Sequence, residues 1–272
     1  GAGLIATQIV FETFSERFTN QLLESGKLAA EWMVAEENRL LEGLRLIVYT
    51  QGVPEAFLAR DADRLRELAL PLVLNQQLEA VEFLDAQGNL FFSIRHKPGG
   101  LLEDYQFVSE GDATFSLVPF VRQTLSGQPD TYGDKFAGLI QVNQREFFYV
   151  ASPVFDNQGQ VLGAVLLGVS LNDLAAHLRQ QTLAQITLYY IDGSPLASSF
   201  PDPLPVTAVQ AGQVTSQAET TVYHRQTNEV RRQIEALNTG YEELLVPWRA
   251  RSENIGIIGV SLFRNMLINP SL

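Results

Sequence analysis

The sequence predicts an α+β chain in which one long N-terminal helix precedes two tandem modules, each a central antiparallel sheet with flanking helices. Three observations predict it. No proline occurs before Pro54, and apolar residues up to about Thr50 recur at helical spacing. The period then changes to that of strands, in the order strand–turn–strand, helix, three strands. The same order begins again near residue 184.

Phe11, Phe14, Phe18, Leu22, Leu28, Trp32, Ala35, Leu40, Leu44 and Ile47 keep to one helical stripe, with Glu16, Glu24, Glu31, Glu37 and Arg39 mostly off it. A helix of about 45 residues is roughly 65 Å long, far beyond the ordinary globular helix. It must pack along a tall object or against a copy of itself. Residues 1–52 are therefore expected to be a backbone element.

Val53-Pro54 ends that pattern, and shorter helices are predicted around Pro54–Ala59 and Ala62–Asn75. Leu78–Leu84 and Leu90–Arg95 read as strands about the turn Asp85-Ala86-Gln87-Gly88-Asn89. A polar loop, Lys97–Asp112, leads to a helix over Phe115–Leu125, closed by Ser126-Gly127-Gln128-Pro129. Strands are predicted over Thr131–Val142, Glu146–Phe155 and Val161–Ser170, which completes a first module over 53–170.

Leu171–Leu183 reads as a connecting helix, and 184–272 as a second, smaller module. Ile186–Ile191 and Leu196–Phe200 flank Asp192-Gly193-Ser194-Pro195 as a hairpin, and Pro201–Gln213 is a proline-spaced loop. Further strands are expected at Glu219–His224, Tyr241–Ala250 and Ile255–Phe263. The polar stretch Arg225–Leu237 is expected to be a solvated surface helix, with Glu229 and Arg232 at i,i+3.

Composition narrows the function. Thirty-one acidic against 19 basic residues give a net charge of −12 over 272 residues, with no basic run to offset it. Such a surface repels phosphate backbones, so nucleic acid is not an expected partner. Cysteine is absent, which removes thiol nucleophiles, disulfides and cysteine-based metal sites. His96, His177 and His224 are scattered, without carboxylates at ligand spacing, so neither a metal site nor a cofactor is expected. No nucleophile–base–orienter order and no phosphate or dinucleotide fingerprint occurs, because Gly159 and Gly163 lead into a strand and not a helix. An enzyme is not expected. No apolar run approaches the roughly 20 residues that span a bilayer. The start Gly1-Ala2-Gly3 is expected of a piece of a longer protein whose membrane segments lie outside it.

Two stretches carry a family likeness. One is Val81-Glu82-Phe83-Leu84-Asp85-Ala86-Gln87-Gly88-Asn89-Leu90. The other runs from Tyr149-Val150-Ala151-Ser152-Pro153-Val154-Phe155-Asp156 through Gly159-Gln160-Val161-Leu162-Gly163-Ala164-Val165 to Leu174. Together with the long helix they resemble the double Cache (PAS-like) sensor domains of bacterial membrane receptors. The resemblance implies a domain held between two transmembrane helices and facing the periplasm or exterior. It implies dimerisation through the N-terminal helix, a small ligand in the membrane-distal module (53–170), and a membrane-proximal module (184–272) whose last strand returns toward the membrane. The output expected beyond the membrane is a histidine kinase, chemoreceptor or cyclase. Amino-acid-sensing members carry an Arg-x-Trp-Tyr signature. The corresponding helix here reads Phe115-Ser116-Leu117-Val118-Pro119-Phe120-Val121-Arg122, so that site is not carried over.

The resemblance also implies a pocket between the central sheet face and the long loops above it, lined from Leu90 to Tyr149. Candidate binding residues are Arg95, Tyr105, Arg122, Tyr132, Asp134, Gln141 and Tyr149, with Lys135 beside them. Tyr132 and Asp134, two apart on an expected strand, would share a face. Gln141 and Tyr149 flank a hairpin and would lie near each other. Each also has a plain reading: Arg95 as a solvated charge, the tyrosines as sheet packing, Asp134 paired with Lys135 or exposed. The competing function is a structural, dimerising or protein-interaction ectodomain that binds no small ligand. A polar-lined cavity would favour the first and a filled module the second.

Overall fold

The computed structural model describes residues 2–108, 113–217, 229–251 and 253–264. They form two compact units, one of residues 35–171 and the other of residues 1–34 with 172–272. Helix α1 (Ala2–Val48) contributes to both.

In the unit of residues 35–171, α2 (Val53–Ala59) and α3 (Ala62–Gln76) follow α1. Asp61 starts α3 by accepting a hydrogen bond from the Arg64 amide at 2.9 Å. Six strands then build one sheet: β1 (Ala80–Asp85), β2 (Leu90–His96), β3 (Tyr105–Val108), β4 (Phe136–Val142), β5 (Arg145–Phe155) and β6 (Val161–Ser170). The order is β3-β2-β1-β6-β5-β4, and every pairing is antiparallel. The hairpin turns are chemically specified. Asp85 Oδ1 accepts the amides of Gln87 and Asn89, while Gly88 takes φ 85°. Asp156 Oδ1 accepts those of Gln158 and Gln160, with Gly159 at φ 81°.

Alternation divides the sheet's two faces. Phe57 of α2 packs against Phe83 and Phe91 on one face. On that face α1 approaches so closely that a Cβ on Gly43 would lie 3.1 Å from Leu167 Cδ1. On the other face Ala80, Leu84, Leu90, Ile140, Tyr149, Ala164 and Leu166 form a core with Phe115 and Val121 from the α4 (Pro119–Leu125) segment.

The unit of residues 1–34 and 172–272 repeats the plan. Helix α5 (Leu171–Thr182) leads into β7 (Gln185–Tyr190), β8 (Pro195–Ser198), α6 (Ala208–Thr215), β9 (Val230–Ala236), β10 (Thr239–Ala250) and β11 (Glu253–Phe263). The antiparallel sheet runs β8-β7-β11-β10-β9. Again a glycine seats α1, since a Cβ on Gly26 would meet Leu244 at 2.6 Å. Trp32 lies 5.9 Å from the His177 ring. The opposite face, with Tyr189, Leu245 and Ile257, is covered by Val206, Ala211 and Val214 of the α6 segment.

Several expectations need correction. The loop over 97–112 holds strand β3. The helix expected from Phe115 starts at Pro119, whose fixed φ suits a first helical position. The strand expected from Thr131 begins only at Phe136. The proline-spaced loop ends in α6, because Thr207 caps it by accepting from the Gln210 amide. In place of a surface helix, the described part of 225–237 is strand β9. Its inward residues Val230, Arg232 and Ile234 do alternate, but the middle one is an arginine held to Glu243 across the strand pair, and that hid the strand period. The strand expected at 219–224 lies outside the described residues.

Candidate functional site

Both sheets bury an ion pair and a phenol on the face away from α1. In the first unit Glu82 on β1 is wholly buried among apolar neighbours. Arg95, on the adjacent β2, grips it with two hydrogen bonds, Nε to Oε1 at 2.9 Å and Nη2 to Oε2 at 3.0 Å. Tyr149 on β5 donates its hydroxyl to Oε1 at 2.8 Å. Strand β6 runs between β1 and β5, so the tyrosine must cross it. It does so over Gly168, where a Cβ would lie 2.3 Å from the ring. Phe115 packs edge-on against the same ring.

The second unit repeats the trio with the roles exchanged across the central strand. Tyr189 on β7 donates to Glu243 Oε1 of β10 at 2.7 Å, and Arg232 of β9 donates to Oε2 at 2.5 Å. Gly259 of β11 leaves the room, since a Cβ there would sit 2.2 Å from Glu243 Oε1. Arg232 also donates to the carbonyls of Leu204 and Pro205, which ties the segment before α6 to the sheet.

A buried carboxylate is costly unless it is paired and hydrogen-bonded. Here both oxygens are met, so each trio is a fixed arrangement of opposite charges about a buried carboxylate. Directly across from each glutamate stands a serine: Ser93 from Glu82 on β2, and Ser261 from Glu243 on β11. Both serines are buried, and neither hydroxyl has a hydrogen-bond partner among the described residues. Each trio therefore has an unfinished polar neighbour.

Burial, and then the nearby glutamate charge, push the Tyr149 and Tyr189 phenols above their ordinary value of 10.0. Burial also raises the Glu243 carboxyl, against the pull of Arg232. The phenols set a linkage of known sign. Above pH 10 the unfolded chain releases both protons while the folded chain keeps them, so the native state binds more protons and stability falls as pH rises. Below pH 10 the contribution is complete. Urea melts between pH 8 and 11 should show a slope approaching about 1.4 kcal/mol per pH unit for each phenol. The Tyr149→Phe/Tyr189→Phe variant should lose that slope.

Of the residues singled out in the sequence, Arg95 and Tyr149 meet, through Glu82. The others do not join them. Tyr105, on edge strand β3, donates to the Leu78 carbonyl at 2.8 Å and turns its ring edge to His96. Arg122 is exposed on α4 and donates to the Ser116 carbonyl. Tyr132 and Asp134 share no strand face, because both precede β4. Tyr132 is 59% exposed. Asp134 binds Lys135 at 2.8 Å and lines a groove of about 240 Å³ with Tyr49 and Phe155 at the end of α1. Gln141 points to the face opposite Tyr149 and bonds Glu146 at 2.8 Å. The residue that sequence reasoning missed is Glu82. Its signal was visible: one charge inside Ala80-Val81-Glu82-Phe83-Leu84, a strand otherwise apolar.

A family model described as a double sensory domain of two-component sensor kinases matches residues 15–262. No curated protein matches the sequence. The fold is similar to the domain of a sensory box/GGDEF family protein from Vibrio parahaemolyticus, with TM-score 0.62 at 14% identity over 95% of this chain and 99% of that one. It is also similar to the periplasmic sensory domain of the Campylobacter jejuni chemoreceptor Tlp1, with TM-score 0.60 at 12% identity over 95% and 99%. The ligand-binding domain of C. jejuni chemoreceptor Tlp3, solved with 4-methylisoleucine, matches at TM-score 0.54 and 9% identity over 96% and 95%. At these identities the likeness is one of fold.

Proposed function

The chain belongs to the double Cache family of sensory domains, and from that premise we propose that it is the extracytoplasmic sensing region of a membrane-anchored receptor. A sensory module of this family is not an enzyme. The unit of residues 35–171 is the membrane-distal module in this reading. A small molecule binds there, on the sheet face that carries Glu82, Arg95 and Tyr149. Transmembrane segments outside this sequence flank it, and the sensing face looks toward the periplasm or exterior.

One observation carries the reading: a complete buried charge pair stands beside the Ser93 hydroxyl, which has no hydrogen-bond partner among the described residues, on the face roofed by Phe115 and Val121. The layer is packed with buried side chains, which favours a ligand-free module, but stability alone gains little from such a pair, since apolar residues of the same volume do as well or better. A polar ligand gains orientation from it. Binding that displaces Phe115 would alter the packing of α4, giving two states whose balance the ligand shifts through its differential affinity.

A thermal-shift screen of organic acids, amino acids, amines and sugars tests this; amino acids belong in it because the C. jejuni domain was solved with one. A ligand at about 100 times its dissociation constant adds roughly 2.7 kcal/mol to stability. A hit whose shift disappears in Tyr149→Phe and Arg95→Lys supports the assignment.

A second reading, a dimerising ectodomain, is favoured by Leu4, Ile5, Ile9, Val10 and Phe11, all exposed near the start of α1. No hit in the screen, together with a concentration-dependent dimer in sedimentation that Phe11→Ser abolishes, would replace the sensor reading with this one.

A further inference from the structure

In the unit that contains residues 172–264, α5 and the β7–β8 edge border a groove of about 670 Å³. Its polar lining is Asn172, Arg179 and Gln180 from α5, then Gln185, Ser198 and Ser199; among the described residues no aspartate or glutamate lines it. The residues assigned above to ligand binding are in the other unit.

The groove adjoins the unfinished end of a polar row. Gln185, Ser261, Glu243 and Arg232 stand directly across from one another on β7, β11, β10 and β9. At the Arg232 end every partner is in place, through Tyr189 and the Leu204 and Pro205 carbonyls. At the other end, Gln185 Oε1 and Ser261 Oγ are both shielded from solvent, and neither has a hydrogen-bond partner among the described residues. A shielded polar atom left without a bond is costly, so it calls for a partner that a ligand or a water can supply. Across the groove, Arg179 has no carboxylate partner among the described residues.

We propose that this groove is a second ligand site, in the unit that the sensor reading makes membrane-proximal, and that it takes a small hydroxy-carboxylate. The carboxylate pairs with the Arg179 guanidinium, whose planar fork suits it. A hydroxyl meets the Gln185 amide. Because a hydroxyl both donates and accepts, it satisfies that amide whichever way the group is turned. An ammonium would call for an anion in the lining, and none is present among the described residues, so a hydroxy acid fits better than an amino acid.

Isothermal titration of the full 272-residue chain with L-lactate, L-malate, D-gluconate and L-alanine tests the proposal. At least one of the three hydroxy acids should bind saturably and more tightly than L-alanine. Arg179→Gln and Gln185→Ala should each weaken it about tenfold or more, as expected for loss of a hydrogen bond to a charge or to a buried amide. Arg179 is exposed, so its variant should keep the parent's circular dichroism. No saturable heat with the three acids, or tighter binding of L-alanine, overturns the proposal. Binding lost in Tyr149→Phe but kept in Arg179→Gln also overturns it, while supporting the site in the other unit.

Discussion

Replacing Glu82 by alanine should destabilise the chain by about 3–5 kcal/mol, the largest effect expected of any single change to either trio. The reason is what remains. Arg95 keeps its charge at a buried position, with both carboxylate contacts gone, and the Tyr149 hydroxyl loses its acceptor. Removing one partner of a buried pair exposes the full desolvation cost of the other, whereas the intact pair roughly offsets it. The two cases separate experimentally. Urea unfolding of Glu82→Ala should give a midpoint far below the parent's. The triple variant Glu82→Leu/Arg95→Met/Tyr149→Phe should recover most of the loss, because it fills the same layer with apolar groups and leaves no charge behind. If the triple variant were as unstable as Glu82→Ala, the trio would be contributing net stability, and the case for a ligand-orienting role would weaken. Near-parent stability with loss of every ligand shift in the thermal screen is the result that fits a binding face.

Gly168→Ala is expected to cost toward the upper end of roughly 1–3 kcal/mol, the usual range for overpacking a core. A methyl there would sit 2.3 Å from Tyr149 Cε1 and 2.7 Å from Cζ, so the ring must leave its path across β6 and pull its hydroxyl off Glu82. Gly259→Ala should act likewise, at 2.2 Å from Glu243 Oε1 and 2.8 Å from the Tyr189 ring. Two controls make the cause visible. Gly212→Ala in α6 meets nothing within 4 Å and should be neutral or stabilising by about 0.5–1 kcal/mol, since glycine is a poor helix former. In a Tyr149→Leu background the cost of Gly168→Ala should shrink, and the double-mutant cycle reads that coupling directly. An unchanged cost would mean that the glycine serves the backbone of β6 and not the passage of the phenol.

These glycines also mark where reading the sequence ends. The long helix, the two hairpins closed by Asp85–Asn89 and Asp156–Gln160, and the strands β5, β6 and β11 were legible because their causes are local. Helical spacing of apolar residues, an aspartate that binds the amides ahead of it, and a glycine at positive φ all act within a few positions of one another. Arg95 and Tyr149 could be nominated as polar groups in a sheet-bearing stretch. That they share one carboxylate could not be read, because their meeting depends on β6 entering between β1 and β5, 67 residues apart at Glu82 and Tyr149.

Thus the sequence by itself determined the class of the chain: one long helix, two α+β modules, the turn chemistry and the acidic surface, each written in neighbouring residues. Only the tertiary structure decided that Tyr132 and Asp134 precede β4, which face Gln141 occupies, that 230–236 is a strand, and that each sheet joins a buried glutamate to an arginine and a tyrosine. Those outcomes rest on register. One residue of shift reverses every side chain of a strand, and register is set by partners that lie far along the chain.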